Sequence, residues 1–455
     1  MTAIFAQRAL LPSGWTDNVR VTVGPDGRIA EIVADCGMQA GDMRLPALLP
    51  AASNLHSHTF QRAMAGLAER RGPAERDSFW TWRETMYRFL DILTPDEIEA
   101  IAAFAFMEML EAGFSAVAEF HYLHHQPGGV PYADLGELSS RIAAAASASG
   151  IGLTLVPVHY AQGGVDGRPL KGGQLRFGNG LDRFESLLGR TGEALRPLPG
   201  DARLALAPHS LRAVGRDDLA RLADMMPAAP IHMHIAEQEG EVAETMAVFG
   251  ARPMTFLLDN FDVGPRWCLI HCTHLQPDET LRLAASGAVA GLCPVTEGNL
   301  GDGIFDGARY TRAGGTLGVG SDSNIRITLN EELRQLEYSQ RLRDRARIVL
   351  AATDQSCGAN LYGHALAGGS QALGRDSGAI APGKWADLVA LDPAALDDAP
   401  VGDMLLDHWI FTGGREAVSD VWAAGRHVVR GRRHIARDAL SARYRQCLAS
   451  IRSRL

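Results

Sequence analysis

Two histidines two residues apart, His56 and His58, follow shortly after the apolar run Leu45-Pro-Ala-Leu-Leu49. On a strand, residues two apart share a face. Both imidazoles would then point at one place, as a zinc-type ion requires. One such pair is weak evidence, because neighbouring histidines are common on surfaces; its company gives it weight. Three later strand-like runs end in the same chemistry: Ile231-His-Met-His-Ile-Ala-Glu237, Cys268-Leu-Ile-His271 and Gly318-Val-Gly-Ser-Asp322. Three histidines and an aspartate around one divalent cation leave room for a water, whose pKa such an ion brings down to about 7.

The other polar groups then acquire duties. His232 and His234 share a face, and one of them suffices as a ligand. His234 begins His-Ile-Ala-Glu, which puts Glu237 just past the strand end; His232 lies deeper and reads as a packed or supporting histidine. His271 can take the proton of the attacking water, sharing it with Asp322, and Glu237 can bind a departing nitrogen and protonate it. A two-metal version of such a site is bridged by a carbamylated lysine on a middle strand. The chain has two lysines, Lys171 in a Gly-rich loop and Lys384 in a C-terminal β segment, so one metal is expected.

These groups need elements to hold them. Residues 1–48 read as short strands and turns, with the alternation Val19-Arg-Val-Thr-Val23 before the turn Gly24-Pro-Asp-Gly27. From about residue 49, apolar runs alternate with helical stretches, the pattern of a βα array. Eight strands are expected, ending near His56, Phe120, Val158, Pro208, Ile235, Ile270, Cys293 and Gly320. Leu153-Thr-Leu-Val-Pro-Val is nearly all apolar, as in strands covered on both faces. Thr94-Pro95-Asp-Glu opens a helix with a cap, an early proline and acids, and Gly113 ends it. The expected fold is α/β, a distorted (β/α)8 TIM barrel over 49–377, with a small β-sandwich domain built from 1–48 and 378–455 and a C-terminal helical tail. In such a barrel the active site draws on the C-terminal ends of different strands. All of the expected ends except that at Cys293 carry a histidine or aspartate: His56 and His58, His121, His159, His209, His234, His271 and Asp322.

Composition narrows the class. The net charge of −9 argues against a nucleic-acid groove. None of the six cysteines forms a CxxC pair; Cys268 and Cys272 flank His271 without a second pair to complete four ligands, so free thiols in a reducing cytoplasm are expected. No secretory signal and no membrane-length apolar run is read.

In combination, the HxH, HxxE, His271 and Asp322 motifs resemble the amidohydrolase superfamily, in particular its mononuclear metal-dependent aminohydrolases. The resemblance extends to Cys293-Pro-Val-Thr-Glu-Gly-Asn299 and to Gly378-Ala-Ile-Ala-Pro-Gly-Lys-Trp-Ala-Asp-Leu-Val-Ala-Leu-Asp392, typical of the superfamily's small β domain. Within it the chain is most similar to the formimidoylglutamate deiminases of bacterial histidine breakdown. That likeness is carried by Asn54-Leu-His-Ser-His-Thr-Phe-Gln-Arg-Ala-Met-Ala-Gly-Leu-Ala-Glu69, Asp77-Ser-Phe-Trp-Thr-Trp-Arg-Glu84, Ala118-Glu-Phe-His-Tyr122, His209-Ser-Leu-Arg212 and Asn299-Leu-Gly-Asp-Gly-Ile-Phe305. It implies metal ligands His56, His58, His234 and Asp322, with Glu237 and His271 as the acid/base pair. It implies Gln61, Arg83, Tyr122, His209 and Arg212 as substrate-holding groups, and a homodimer. Pro50-Ala-Ala departs from the Pro-Gly common before the HxH segment, and Asn324 and Arg326 match no family pattern.

The implied substrate, N-formimino-L-glutamate, has two carboxylates, which call for arginine forks. Arg83, among Phe79, Trp80 and Trp82, and Arg212, just past His209, are the expected pair, with Arg62 competing. Rival readings are a guanine or other purine deaminase, an imidazolonepropionase, which opens a ring without releasing ammonia, and a catalytically silent structural relative. The implied cofactor is one divalent ion, zinc first, with iron, nickel and manganese compatible with the same ligands.

Overall fold

The computed structural model describes residues 2–70, 78–396 and 400–455; Asp77, quoted above, lies outside the described residues. Eight strand positions follow one another from residue 52: β1 Ala52–Ser57, β2 Phe114–His121, β3 Gly152–His159, β4 Ala207–Pro208, β5 Ile231–Ile235, β6 Trp267–His271, β7 Val289–Leu292 and β8 Thr316–Val319. Each ends within one residue of the place expected from the sequence. β1, β2, β3 and β4 pair in parallel, as do β5, β6, β7 and β8.

Two seams join the arcs. Leu206 bridges Ile231, and Ser57 bridges Asp322. Backbone hydrogen bonds run along both: His232 N–H to Leu206 O at 3.1 Å, His234 N–H to His209 O at 3.0 Å, His58 N–H to Asp322 O at 2.9 Å and Asp322 N–H to His56 O at 3.0 Å. The ring therefore closes, and its distortion lies at these seams. β4 is the weakest member, since Pro208 has no N–H to extend a ladder.

Helices fill the connections. Pro95–Glu111 is capped by Thr94, whose hydroxyl accepts from Glu97 N–H, and the chain turns out of it at Gly113, φ 95°. The C-terminal helix Arg437–Arg452 lies along it, with Phe104 and Tyr444 stacked at 4.0 Å.

The chain ends meet in one mixed sheet, in the order Arg433–His434, Arg426–Arg430, Val418–Ala423, Leu388–Leu391, Met43–Pro50, Thr2–Leu11, Gly14–Val23, Ile29–Val33. It curls until Arg28 bridges Trp385, enclosing an apolar core that includes Ile4, Val21, Leu48, Leu388 and Trp422. The apolar run before the HxH motif thus belongs to this sheet, not to the barrel. Only Ala51 separates Met43–Pro50 from β1.

Candidate active site

The barrel's C-terminal mouth collects the side chains in question. β1 carries His56, with His58 just past it; β5 carries His234, β6 ends at His271, and Asp322 follows β8. Gly320 lets β8 approach β1: a Cβ there would lie 2.7 Å from His56 O. Asn54 and Asn324 tie the two together. Asn54 donates to Ser321 Oγ at 2.6 Å, Ser321 Oγ donates to Asn324 at 2.6 Å, and Asn324 donates to Ser57 Oγ at 3.1 Å. Glu119 of β2 fixes the turn after His58 by accepting from Thr59 N–H at 2.8 Å and from its hydroxyl at 2.6 Å. Burial pushes the Glu119 carboxyl up to about 7 against those hydrogen bonds.

Several non-glycine residues at this rim adopt left-handed backbone: Ala236 (φ 51°), His271 (71°), Cys272 (53°), Asp322 (44°) and Asn324 (56°). Such conformations cost free energy and concentrate where side chains must be aimed.

His56, His58 and His234 each offer a nitrogen within 4.8 Å of the others. His58 Nδ1–H donates to Phe120 O at 3.0 Å and His234 Nδ1–H to His209 O at 3.2 Å. Each therefore turns a bare Nε2 inward. His234 Nε2 lies 3.1 Å from His56 Nε2. Asp322 Oδ1 stands 3.5 Å from His56 Nε2 and 3.4 Å from His58 Nε2. Burial, with mutual repulsion adding to it, holds all three imidazoles below their ordinary pKa, His58 at about 3. Neutral imidazoles with converging lone pairs and one carboxylate are the donor set of a zinc-type cation, so the residues fit a divalent metal.

His271 Nε2 is 4.0 Å from Glu237 Oε1 and 3.9 Å from Asp322 Oδ2. Burial lowers its pKa, but without a cation beside it the Glu297 hydrogen bond and the charges of Glu237, Asp322 and Glu297 outweigh burial and raise it to about 10; a divalent cation held by Asp322 would oppose that shift and favour the neutral imidazole. Glu237 accepts from Arg212 at 2.8 Å, and Glu241 stands 3.6 Å behind the same guanidinium.

All five substrate-holding candidates, Gln61, Arg83, Tyr122, His209 and Arg212, line one cavity with His58, His234, Glu237, His271 and Asp322. Gln61 donates to Tyr122 OH at 2.9 Å. Arg83 projects from the helix Phe79–Leu90 with its guanidinium 4.5 Å from the Trp80 ring centre, and it has no ion-pair partner among the described residues. Arg62 does not compete, because Glu108 holds it at 2.5 Å away from the cavity. Arg326 likewise pairs with Glu331 at 2.5 Å outside the cavity wall. His232 is a packed histidine, bonded to Ala372 O at 2.8 Å.

Two strand-end histidines stay out of the cluster. His159 turns to Asp218 at 3.0 Å. At β2 the ring packed on the cluster is Phe120, centred 5.0 Å from His56 and 4.5 Å from His234, and His121 faces away from the cavity. Alternation decides this: a neighbour one position along points to the opposite face. Sequence reasoning missed Glu297 behind His271 and Tyr87, Tyr160 and Phe177 in the cavity wall. Glu297 stood within the quoted Cys-Pro-Val-Thr-Glu segment and Tyr160 directly after β3, the only signals available.

Comparison with known proteins agrees with this geometry. The Amidohydrolase family profile matches residues 47–428, and that of the formimidoylglutamate deiminase HutF N-terminal domain matches residues 1–45. A formimidoylglutamate deiminase of Pseudomonas aeruginosa is 50% identical over 455 residues, 99% of this chain and 100% of the relative. The crystal structure of an amidohydrolase from Brucella melitensis superposes with a TM-score of 0.96 at 48% identity, covering 99% of this chain and 100% of that one. An adenosine deaminase from Xanthomonas campestris, with bound zinc, shares the fold at a TM-score of 0.82 and 24% identity, over 99% and 98% of the two chains. With a converging histidine–aspartate cluster at the mouth of a closed parallel ring and a family profile matched over most of its length, the chain belongs to the amidohydrolase family.

Proposed function

We propose that this protein is a formimidoylglutamate deiminase, converting N-formimino-L-glutamate and water to N-formyl-L-glutamate and ammonia. The observation that carries the reading is the presence of Arg83 and Arg212 in the same cavity as the histidine–aspartate cluster and Glu237. Aromatic rings and the Gln61 amide in the wall would also serve a purine, but two guanidinium groups suit a substrate with two carboxylates. The 50% identity to the Pseudomonas aeruginosa deiminase supports the same substrate.

His56, His58, His234 and Asp322 would hold one divalent cation, zinc foremost, with iron, nickel or manganese as alternatives. Bound there, it would make water nucleophilic at neutral pH. His271 accepts a proton from the attacking water, with Asp322 beside it. As the water oxygen bonds to the formimino carbon, the C=N π pair moves to the terminal nitrogen, which takes up the first water proton; Glu237 then carries the proton of the new hydroxyl to the same nitrogen as C=O forms, the C–N bond breaks, and ammonia leaves with both water protons. Arg212 has a double duty, since it orients Glu237 through the 2.8 Å contact and presents its remaining N–H groups to a substrate carboxylate. Arg83 forks the second carboxylate, and Gln61, Tyr122 and His209 hold the chain between them.

The organisation we assign is a catalytic unit over 49–377 and a small β unit from 1–48 and 378–455, in a cytoplasmic homodimer without nucleic-acid or membrane partners. Six free cysteines suit a reducing compartment, and among the described residues no helix is long and apolar enough to cross a membrane.

The test is ammonia release by the metal-loaded protein from N-formimino-L-glutamate, guanine and cytosine, with ring opening of imidazolone propionate measured in parallel. Turnover of the first alone is expected. Release from guanine would favour the ring-deaminase reading, ring opening without ammonia the imidazolonepropionase reading, and silence on all four a non-catalytic relative.

A further inference from the structure

Glu297 is a buried carboxylate to which the proposed reaction gives no part. It sits in the first helix after β7, Pro294–Leu300, whose N-terminal cap is Cys293. One of its oxygens, Oε1, accepts from Cys293 N–H at 2.9 Å and lies 3.2 Å from His271 Nδ1. Glu297 is not among the residues lining the cavity, so it reaches the chemistry through His271 alone. With His271 and Cys293 it forms a group compact enough for a second metal. That use is disfavoured, because N–H groups already occupy the shared oxygen, and burial drives the Cys293 thiol well above its ordinary pKa, keeping it protonated.

The geometry points instead to orientation. His271 sits at φ 71° and Cys272 at φ 53°, so the backbone leaving β6 is strained and the ring needs an anchor. In a neutral imidazole one nitrogen carries the proton and the other the lone pair, and the partner of one decides the state of the other. We infer that Glu297 is the positioning residue of His271: by accepting from Nδ1–H it keeps Nε2 bare and aimed at the cavity between Glu237 and Asp322. Without that acceptor, the tautomer with Nε2–H donating to Asp322 or Glu237 takes over, and that tautomer cannot accept a proton from water. The inference rests on the role given to His271 above.

Two readouts test it on zinc-loaded protein. In ring-¹⁵N-histidine spectra, the signal lost in His271→Asn identifies His271. It should show a protonated Nδ1 in the wild type and in Glu297→Asp, and shift toward protonated Nε2 in Glu297→Ala. Glu297→Gln, which keeps the shape, should retain about one zinc per chain and the wild-type KM while kcat falls roughly 10- to 100-fold. Glu297→Asp should recover part of that loss. An unchanged His271 signature in both Glu297→Gln and Glu297→Ala, or a kcat for Glu297→Gln within twofold of wild type, would overturn the inference. Loss of zinc from Glu297→Gln would do so too, by making Glu297 part of the metal's support. The spectra need no substrate, so they stand apart from failure of the deiminase assay.

Discussion

Two buried polar networks lie at opposite ends of the barrel strands, and they are built on contrary principles. Behind the strands, Arg375 is fully engaged. It donates to Asp387 at 2.6 and 3.0 Å, to Asp201 Oδ2 at 2.9 Å and to the Asp201 carbonyl at 2.9 Å. Arg426 closes on the other side of Asp201 with two bonds of 2.8 Å. Asp387 also accepts from Ala424 N–H at 2.7 Å, so the cluster fastens the barrel to the terminal sheet. At the mouth, by contrast, ring nitrogens converge: His56 and His234 bring their Nε2 atoms to 3.1 Å, and His56 Nδ1 has no hydrogen-bond partner among the described residues. His271 and Asp322 at the rim are themselves left-handed, whereas Asp201, Arg375 and Asp387 at the centre of the fastener have no positive φ, and the left-handed residue beside them is Ala424, at φ 43°. A network whose hydrogen bonds are complete holds a fold together. One that leaves converging acceptors is organised around something it does not itself contain.

This contrast breaks most sharply at the proposed ligands. His56→Ala or Asp322→Ala should bring metal content down from about one ion per chain and abolish turnover, while the melting temperature of the metal-free protein hardly moves. Elemental analysis, the ammonia assay and calorimetry on the same samples would check it; activity retained in either variant removes that residue from the ligand set.

The next largest effect concerns the cavity wall. Arg83→Ala and Arg212→Ala should each lose about 2–5 kcal/mol of transition-state binding, roughly 30- to several-thousand-fold in kcat/KM, since each leaves a desolvated carboxylate unpaired. Arg212→Ala should also lower kcat, because Glu237 loses its 2.8 Å partner, whereas Arg83→Ala should act mainly on KM. A substrate lacking one carboxylate should lose much less from mutation of the arginine that served it. Equal losses in both variants would separate the arginines from carboxylate recognition.

How much of this was legible beforehand follows from which physical signals are local. The apolar runs of a ring covered on both faces mark strand ends to within a residue, and His56, His58, His234, His271 and Asp322 could be named from them. Facing is not local. Phe120 and not His121 packs on the cluster, and His159 turns to Asp218, because one residue of parity at a strand end reverses a side chain. Pairings across the chain are equally hidden: nothing near Arg62 in the sequence announces Glu108, 46 positions on, which pairs with it. Asn324 and Arg326 were ambiguous for the same reason; one braces β8 against β1, and the other is an exposed ion pair.

At the fastener the expectations invert. Arg375→Ala would leave Asp387 buried without its counter-charge and should cost about 3–5 kcal/mol of unfolding free energy, read by urea titration, while metal content and kcat of the folded fraction stay near wild type. A kcat change with unaltered stability would show that the two networks are not independent.

The smallest effect, and the finest test of the contrast, is the response of the fastener to acid. Burial alone would raise the Asp201 carboxyl, but hydrogen bonds and charge from Arg426 and Arg375 outweigh it and hold the group below its ordinary value. A carboxyl with a depressed folded pKa contributes stability that is fully present above its unfolded value of about 3.9 and is lost as pH falls through the folded value. Metal-free protein should therefore lose part of its stability as pH drops below about 4, and Asp201→Asn, which has no proton to take up, should show a shallower dependence over the same window. Working without metal matters, because protonation of the proposed ligand histidines would release the ion at higher pH and mask the carboxyl. Parallel slopes for wild type and Asp201→Asn in urea titrations at pH 6, 4 and 3 would mean that the Arg375–Asp201–Arg426 contacts hold no more tightly in the folded state than the free carboxyl holds to water.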